Sequence, residues 1–407
     1  MKVFEGGVTA AKGFKAAGVP AGIKYQNRKD MALLVSTVPA KAAGTFTSNV
    51  VKAAPVLWDR EIVEGSGMAR AIVVNSGIAN ACTGEEGKRI CEETAEAAAG
   101  LLKLSGKEVL VASTGVIGMQ IDIERIREGL KLLAGALGDT PEKGTEAAEA
   151  IMTTDTKSKQ AAVTLEIGGK SVTIGGMCKG SGMIHPNMCT MLAFVTTDCD
   201  ISPGLLKKAA RESIEDTFNM ISVDGDTSTN DTFLILANGE AKNPVITEEN
   251  DDYRMFLNAL RLVNETLAKK MAGDGEGATA LVESRVTGAA SKADARALAK
   301  SVITSSLTKA AIFGHDANWG RILCALGYAG VDFDPDALEL WIESEAGKLL
   351  LFEKGRAADY SEEEAGKILS SREVKIISVL HEGEAEATAW GCDLTYDYVK
   401  INADYRS

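Results

Sequence analysis

Cys178-Lys179-Gly180-Ser181-Gly182-Met183-Ile184-His185-Pro186-Asn187-Met188-Cys189-Thr190-Met191-Leu192 runs from a glycine-rich loop into a hydroxyl residue that opens the apolar run Met191–Thr197. That run reads as a buried strand. A hydroxyl in this position suits self-cleavage. The Thr190 Oγ attacks the preceding carbonyl, the Cys189–Thr190 peptide becomes an ester, and hydrolysis frees the Thr190 α-amine. Such an amine, with a pKa of about 7.7–8.0, serves as base for its own hydroxyl, whereas a lysine near about 10.4 stays protonated at neutral pH. Spacing alone is equally compatible with an ordinary strand start.

Outward from this stretch the chain alternates strands and helices, an α/β pattern. Ala71–Val74 and Val109–Ala112 are short apolar runs leading into Asn75-Ser76-Gly77 and Ser113-Thr114-Gly115, with a helical Glu85–Leu104 between them. Asp122 is placed to cap a helix whose apolar face is Ile126, Leu130, Leu133 and Leu137. Val163–Ile167 and Ser171–Ile174 flank Gly168-Gly169, a hairpin signal, because adjacent glycines accept the positive φ of a type I′ turn. Ser202-Pro203 opens a further helix, and Asp251–Met271 repeats Phe256, Leu260, Val263, Leu267 and Met271 at helical spacing. Gly273 to Gly277 then breaks the helix ahead of a strand-like Ala278–Glu283. Ser291–Thr308 and Arg321–Tyr328 read as helices, Val374–Leu380 and Thr388–Ile401 as strands. A domain boundary is expected near Ser284, giving units 1–283 and 284–407.

The totals narrow the function classes. With 407 residues the chain has room for two to three domains, and 45% hydrophobic content supports buried cores. A formal net charge of −13 argues against nucleic acid or an anionic membrane surface as partner. Seven scattered cysteines, never spaced C-x-x-C, argue against a disulfide scaffold or a structural zinc site. No apolar stretch approaches the ~20 residues of a membrane span, and Met1 to Lys24 lacks the core of a secretory signal. A cytoplasmic protein without a metal or cofactor is the expectation.

Other positions complete an acyl-transfer constellation or compete with it. Thr114-Gly115 follows a strand end, where a hydroxyl and a backbone N–H can face a developing oxyanion. Glu276 stands among glycines, so loop geometry places its carboxylate; Lys179 shares the loop of Thr190. Gly314-His315-Asp316-Ala317-Asn318-Trp319-Gly320-Arg321 fits an anion site at a helix start or a polar network holding a loop. The acidic run Asp224–Asp231 lacks the glycine and terminal glutamate of a calcium loop. There is no phosphate-loop motif and no strand–G-x-G-x-x-G–helix run.

Longer motifs make the pattern specific: Gly6-Gly7-Val8-Thr9-Ala10, Asn75-Ser76-Gly77 with Ala79-Asn80-Ala81, Ser113 through Gly118, Ile151 through Thr156, Lys179 through Leu192, Asp224 through Asp231, and Gly314 through Arg321. Together they resemble the ornithine acetyltransferase (glutamate N-acetyltransferase) family of arginine biosynthesis. The resemblance implies a four-layer α-β-β-α sandwich reminiscent of N-terminal-nucleophile hydrolases with different connectivity, plus a smaller α/β domain. It implies cleavage between Cys189 and Thr190 into an α chain 1–189 and a β chain 190–407, assembled as an (αβ)₂ heterotetramer. Cys189 departs from the family's usual alanine. Thr190 would be the nucleophile and amine base, Thr114 and Gly115 the oxyanion hole. Thr153, Lys179, Thr190, Glu276, Asn402 and Ser407 would line the substrate site. The implied reaction moves acetyl from N2-acetyl-L-ornithine to L-glutamate, with acetyl-CoA a possible second donor. A related N-terminal-nucleophile aminopeptidase or amidase, and a non-catalytic binding protein on the same fold, are the rival readings.

Overall fold

In the computed structural model, which describes residues 1–185 and 191–404, a nine-stranded sheet carries the first two thirds of the chain. Its strands are β1 (Lys2–Phe4), β2 (Phe14–Val19), β3 (Met31–Phe46), β4 (Met68–Ile78), β5 (Val109–Val116), β6 (Lys159–Ile167), β7 (Lys170–Lys179), β8 (Leu192–Thr197) and β9 (Thr232–Ala237). The order is β1-β6-β7-β8-β9-β3-β4-β5, with β2 on the early part of β3. The 16-residue β3 belongs to both halves: Lys41–Phe46 pairs with β9, Met31–Val35 with β4, and the register shifts between Val35 and Ala40.

Side-chain alternation decides how the halves lie. Ile72 and Val74 of β4, with Leu110 and Ala112 of β5, share one core with Leu192 and Phe194 of β8 and with Leu234 and Leu236 of β9. Their neighbours Ala71, Val73, Val109 and Val111 face the other way. They meet α2 (Gly84–Leu102) and α3 (Ile123–Ala136) through Ile90, Ala95, Ile126 and Leu130. Likewise Ala193, Val195, Phe233 and Ile235 meet α5 (Pro203–Glu215) and α6 (Asp251–Ala272) through Leu206, Ala210, Phe256 and Leu260. The strand period of two therefore sorts the apolar residues into an inner and an outer core on each half. The layers are helix, sheet, sheet, helix: the α-β-β-α sandwich the resemblance implied. Two further helices close its flanks. α1 (Ala54–Glu64) lies against β5, where the Val111 amide donates to buried Asp59 Oδ1 at 2.7 Å. α4 (Pro141–Ala150) lies so close to β2 that a Cβ on Gly18 would sit 2.0 Å from the Glu146 carbonyl oxygen.

A six-stranded sheet follows, built from β10 (Leu281–Ala289), β11 (Glu339–Ser344), β12 (Gly347–Glu353), β13 (Arg356–Ala357), β14 (Glu373–Val379) and β15 (Ala385–Cys392) in the order β13-β12-β11-β14-β10-β15. Only β10 and β14 run parallel. Ser284 lies inside β10, so this sheet begins a few residues ahead of that position. Its helices are α7 (Lys292–Thr304), α8 (Ser306–Phe313), α9 (Trp319–Gly327), α10 (Glu362–Leu369) and α11 (Tyr396–Asp404).

Two expectations are corrected here. The helix expected over Ser291–Thr308 breaks at Ser305, whose hydroxyl accepts from the Thr308 amide at 3.2 Å and starts α8. The strand expected over Thr388–Ile401 stops at Cys392. Asp393 leaves the sheet to accept from the Thr279 and Ala280 amides at 2.8 and 3.0 Å, and α11 follows. The apparent alternation of Tyr396 and its neighbours is no buried face, since Tyr396 and Val399 are exposed. Among the described residues no helix is long and apolar enough to cross a membrane.

Candidate active site

The ends of β4 and β5 approach each other through two glycines. Gly77 and Gly115 are register partners with φ of +100° and +132°, and a Cβ on Gly115 would sit 2.2 Å from the Gly77 carbonyl carbon. Only glycine fits such a backbone contact. Buried amides hold the strand ends in place. Asn230 Nδ2 donates to the Ala79 and Ser113 carbonyls at 2.6 and 2.8 Å, Asn75 Nδ2 to the Ile78 carbonyl at 2.9 Å, and the Ser113 hydroxyl to Asn75 Oδ1 at 2.7 Å. Thr114 is thereby presented at the mouth of a cavity of about 330 Å³.

Lys179, the last residue of β7, enters the same cavity, and its Nζ donates to Thr114 Oγ1 at 3.4 Å. Burial holds its ammonium below the ordinary lysine pKa, and the like charge of Lys159 adds to this. Asp155, Glu276 and Asp231 pull the other way. Asp155 accepts from Gly180 N at 2.7 Å and Lys159 Nζ at 2.6 Å through Oδ1, and from Thr153 N at 3.0 Å through Oδ2. Burial alone would raise its carboxyl, but Lys179 and Lys159 outweigh that and bring it to about 2. Asp231, also on the cavity wall, has the opposite outcome: burial pushes its carboxyl well up, and Oδ2 finds no hydrogen-bond partner among the described residues.

The segment leading towards residue 186 is clamped by the loop after α5. Asp224 accepts from the Met183 and Ile184 amides at 2.6 and 2.9 Å, the Val223 amide donates to the Ile184 carbonyl at 2.7 Å, and the Thr227 hydroxyl donates to the His185 carbonyl at 2.9 Å. Burial and the nearby Lys300 hold the His185 imidazole down at about 4, so it is neutral. Glu276 follows α6; its amide donates to the Ser181 carbonyl at 2.8 Å, and its Oε2 accepts from Asn402 Nδ2 at 2.7 Å. The loop between α6 and β10 leaves its carboxylate against Gly182, where any Cβ would meet it at 2.5 Å.

Thr114, Gly115, Thr153, Lys179, Glu276 and Asn402, drawn from five separate segments, thus line one cavity. Met191, the residue covalently attached to position 190, lines it too. Cys189, Thr190 and Ser407 lie outside the described residues. The Gly314–Arg321 segment does not line this cavity. Asn318 caps α9 by accepting from the Arg321 amide at 3.2 Å, and Arg321 donates to the Leu307 carbonyl at 3.0 Å, so the polar-network reading fits it. Asp155, Asn230 and Asp231 were not singled out by the sequence reading. All three sit inside its motifs, bracketed by threonines (Thr154 and Thr156, Thr229 and Thr232), a pattern that carries no burial signal of its own.

A model of the ArgJ family matches residues 15–407. The chain is 54% identical over 409 residues to the arginine biosynthesis bifunctional protein ArgJ of Symbiobacterium thermophilum, covering 100% of each. Among solved structures it is similar to the arginine biosynthesis bifunctional protein ArgJ of Bacillus halodurans, with 47% identity and a TM-score of 0.50, covering 52% of this chain and 98% of that one. It is also similar to the ornithine acetyltransferase of Mycobacterium tuberculosis solved with ornithine, with 41% identity and a TM-score of 0.43, covering 46% of this chain and 98% of that one.

Proposed function

The chain belongs to the ArgJ family, and from that premise we propose that it is a glutamate N-acetyltransferase, moving acetyl from N2-acetyl-L-ornithine to L-glutamate through an acetyl-Thr190 intermediate. The observation that carries the reading is the convergence of Thr114, Gly115, Lys179 and Glu276 on the cavity that Met191 lines. Thr190 is bonded directly to Met191. The relatives' names support a role in arginine biosynthesis, and the word bifunctional in them supports a second activity, for which acetyl-CoA is the proposed donor.

The chemistry runs in two halves. Thr190 Oγ, deprotonated by its own α-amine, attacks the acetyl carbonyl; Thr114 and Gly115 donate to the oxyanion; ornithine leaves with the proton. A donor of this kind contributes roughly 3–4 kcal/mol in the transition state. Glutamate then enters, and its α-amine takes the acetyl group from the Thr190 ester. Donor and product are both N-acetyl α-amino acids, so the exchange is nearly isoenergetic and calls for no nucleotide. Both substrates carry an α-carboxylate, and the buried Lys179 ammonium is suited to that shared group. Thr153, Glu276, Asn402 and Ser407 complete the substrate site.

Activation requires cleavage between Cys189 and Thr190. The Bacillus halodurans structure matches about half of the present chain while being covered almost whole, close to the share that residues 190–407 represent. That supports a cleaved family member. The same reading takes residues 1–283 as the catalytic unit and 284–407 as a smaller α/β unit, in a cytoplasmic (αβ)₂ assembly. Mass spectrometry of purified protein is expected to give fragments 1–189 and 190–407, and an intact chain for Thr190→Ala. An uncleaved Thr190→Ala variant that still transfers acetyl would end the proposal. Glutamate supplied with acetyl-CoA alone tests the second donor, and hydrolysis indifferent to glutamate would favour the amidase reading.

A further inference from the structure

Behind the cavity wall lies a buried chain of charges that the acetyl-transfer steps do not use. Lys159 Nζ sits 2.6 Å from both Asp155 Oδ1 and Asp274 Oδ2, and the Lys159 and Asp155 side chains are 2% and 0% exposed. Asp274 in turn accepts from the Thr156 amide at 3.1 Å and from the Thr156 hydroxyl. These contacts tie together three segments distant in sequence. One holds Thr153 to Lys157, one Lys179 to Gly182, and one Asp274 to Glu276, the last also joined to Ser181 through the Glu276 amide.

We propose that Asp155 is a positioning residue for the substrate carboxylate: its two oxygens fix Thr153 and the Lys179-Gly180 segment against one another, and its negative charge faces the buried Lys179 ammonium. This rests on the reading that Lys179 receives that carboxylate. The groups facing Lys179 are Asp155 from the loop after α4, Lys159 from β6, Glu276 from the turn after α6, Asp231 from the start of β9, and the Thr114 hydroxyl from β5. Lys159 is balanced by Asp274 as well as by Asp155, whereas Lys179 has no carboxylate within 4.0 Å among the described residues. Burial already depresses the Lys179 ammonium. Removing the Asp155 charge leaves Lys159 with Asp274 at 2.6 Å, while Lys179 keeps only the more distant Glu276 and Asp231, so the group that sheds its proton most readily is Lys179. A neutral lysine no longer holds a carboxylate.

The test is the pH dependence of kcat/KM for N2-acetyl-L-ornithine in Asp155→Asn. The side-chain amide keeps one acceptor for Gly180 and loses the charge. The alkaline limb is expected to move to lower pH by about one unit, the low end of the effect of an opposite charge, because Asp155 faces Lys179 from beyond 4.0 Å. At pH 8, KM should rise about tenfold, with kcat changed less. A cleaved, folded Asp155→Asn protein whose alkaline limb stays in place overturns the proposal, whatever its loss of rate. Should Asp155→Asn fail to fold, Lys159→Gln gives the opposite sign: with a like charge gone the limb is expected to move to higher pH, and an unmoved limb is equally fatal. Lys179→Gln separates the two readings. If it leaves both KM and the limb unchanged, the assignment of Lys179 to the carboxylate fails and takes the Asp155 role with it; a limb that moves in Lys179→Gln but stays in place in Asp155→Asn sinks the Asp155 role alone.

Discussion

Replacing Gly115 with alanine tests the proposed oxyanion-hole geometry at its tightest point. The backbone there has φ of +132°, and the new Cβ would stand 2.2 Å from the Gly77 carbonyl carbon and 2.4 Å from its oxygen. Contacts below 3.0 Å essentially never occur, so β4 and β5 must separate by about 0.8 Å at the point where Thr114 is presented. The conformation itself costs about 1–3 kcal/mol for a residue with a Cβ. Displacement of a catalytic donor by nearly 1 Å lowers turnover by about 10²-fold. Gly118 is the internal control: its φ is +83°, but nothing lies within 4 Å of a Cβ there, so Gly118→Ala carries strain without a clash. Steady-state acetyl transfer, alongside thermal unfolding of both variants, is the assay. Gly115→Ala should lose about 10²-fold in kcat, and Gly118→Ala less than threefold. Equal activity in the two variants would refute the argument that the strand ends set the donor position.

Two further outcomes follow from buried polar groups. Asn230→Ala leaves the Ala79 and Ser113 carbonyls without their donor, at about 1–3 kcal/mol for each buried acceptor. Urea unfolding should show a loss of at least 2 kcal/mol or so, and a loss below about 1 kcal/mol would mean the bridge is not needed. For Asp155 the sign is that of a depressed acid: the folded pKa of about 2 lies below an unfolded value near about 3.9, so its stabilisation is complete above the unfolded value and is lost as pH falls towards the folded one. Thermal melts between pH 5 and 2.5 should therefore fall more steeply for the wild type than for Asp155→Asn, with about 2 kcal/mol involved; parallel curves would show that folding does not lower the Asp155 pKa.

The local elements were legible because their signals are local. Asp122 caps α3 through the Glu124 amide, Gly168 and Gly169 both take positive φ in the β6–β7 hairpin, and the helical apolar repeat from Phe256 to Met271 is the buried face of α6. The glycine-rich stretch before Met191, the Thr114-Gly115 strand end and Glu276 among its glycines pointed to acyl chemistry from residue type and order, and the family resemblance extended this to Thr153 and Asn402.

What only the tertiary structure decided is which segments meet and with what charge. Alternating apolar residues in β4 and β8 say that each strand has two buried faces, but not that Val74 and Phe194 share the inner one, because strand pairing joins residues more than a hundred positions apart. Thr388–Ile401 was misread for the same reason: contacts from Asp393 to Thr279 and Ala280 turn the chain out of the sheet, and no local pattern records them. Asp155 and Asp231 are ordinary acids in sequence. One is drawn to about 2 by two lysines, while the other is pushed up by burial. Protonation depends on the distances of charges and the exclusion of water around a group, and both exist only once the chain has folded.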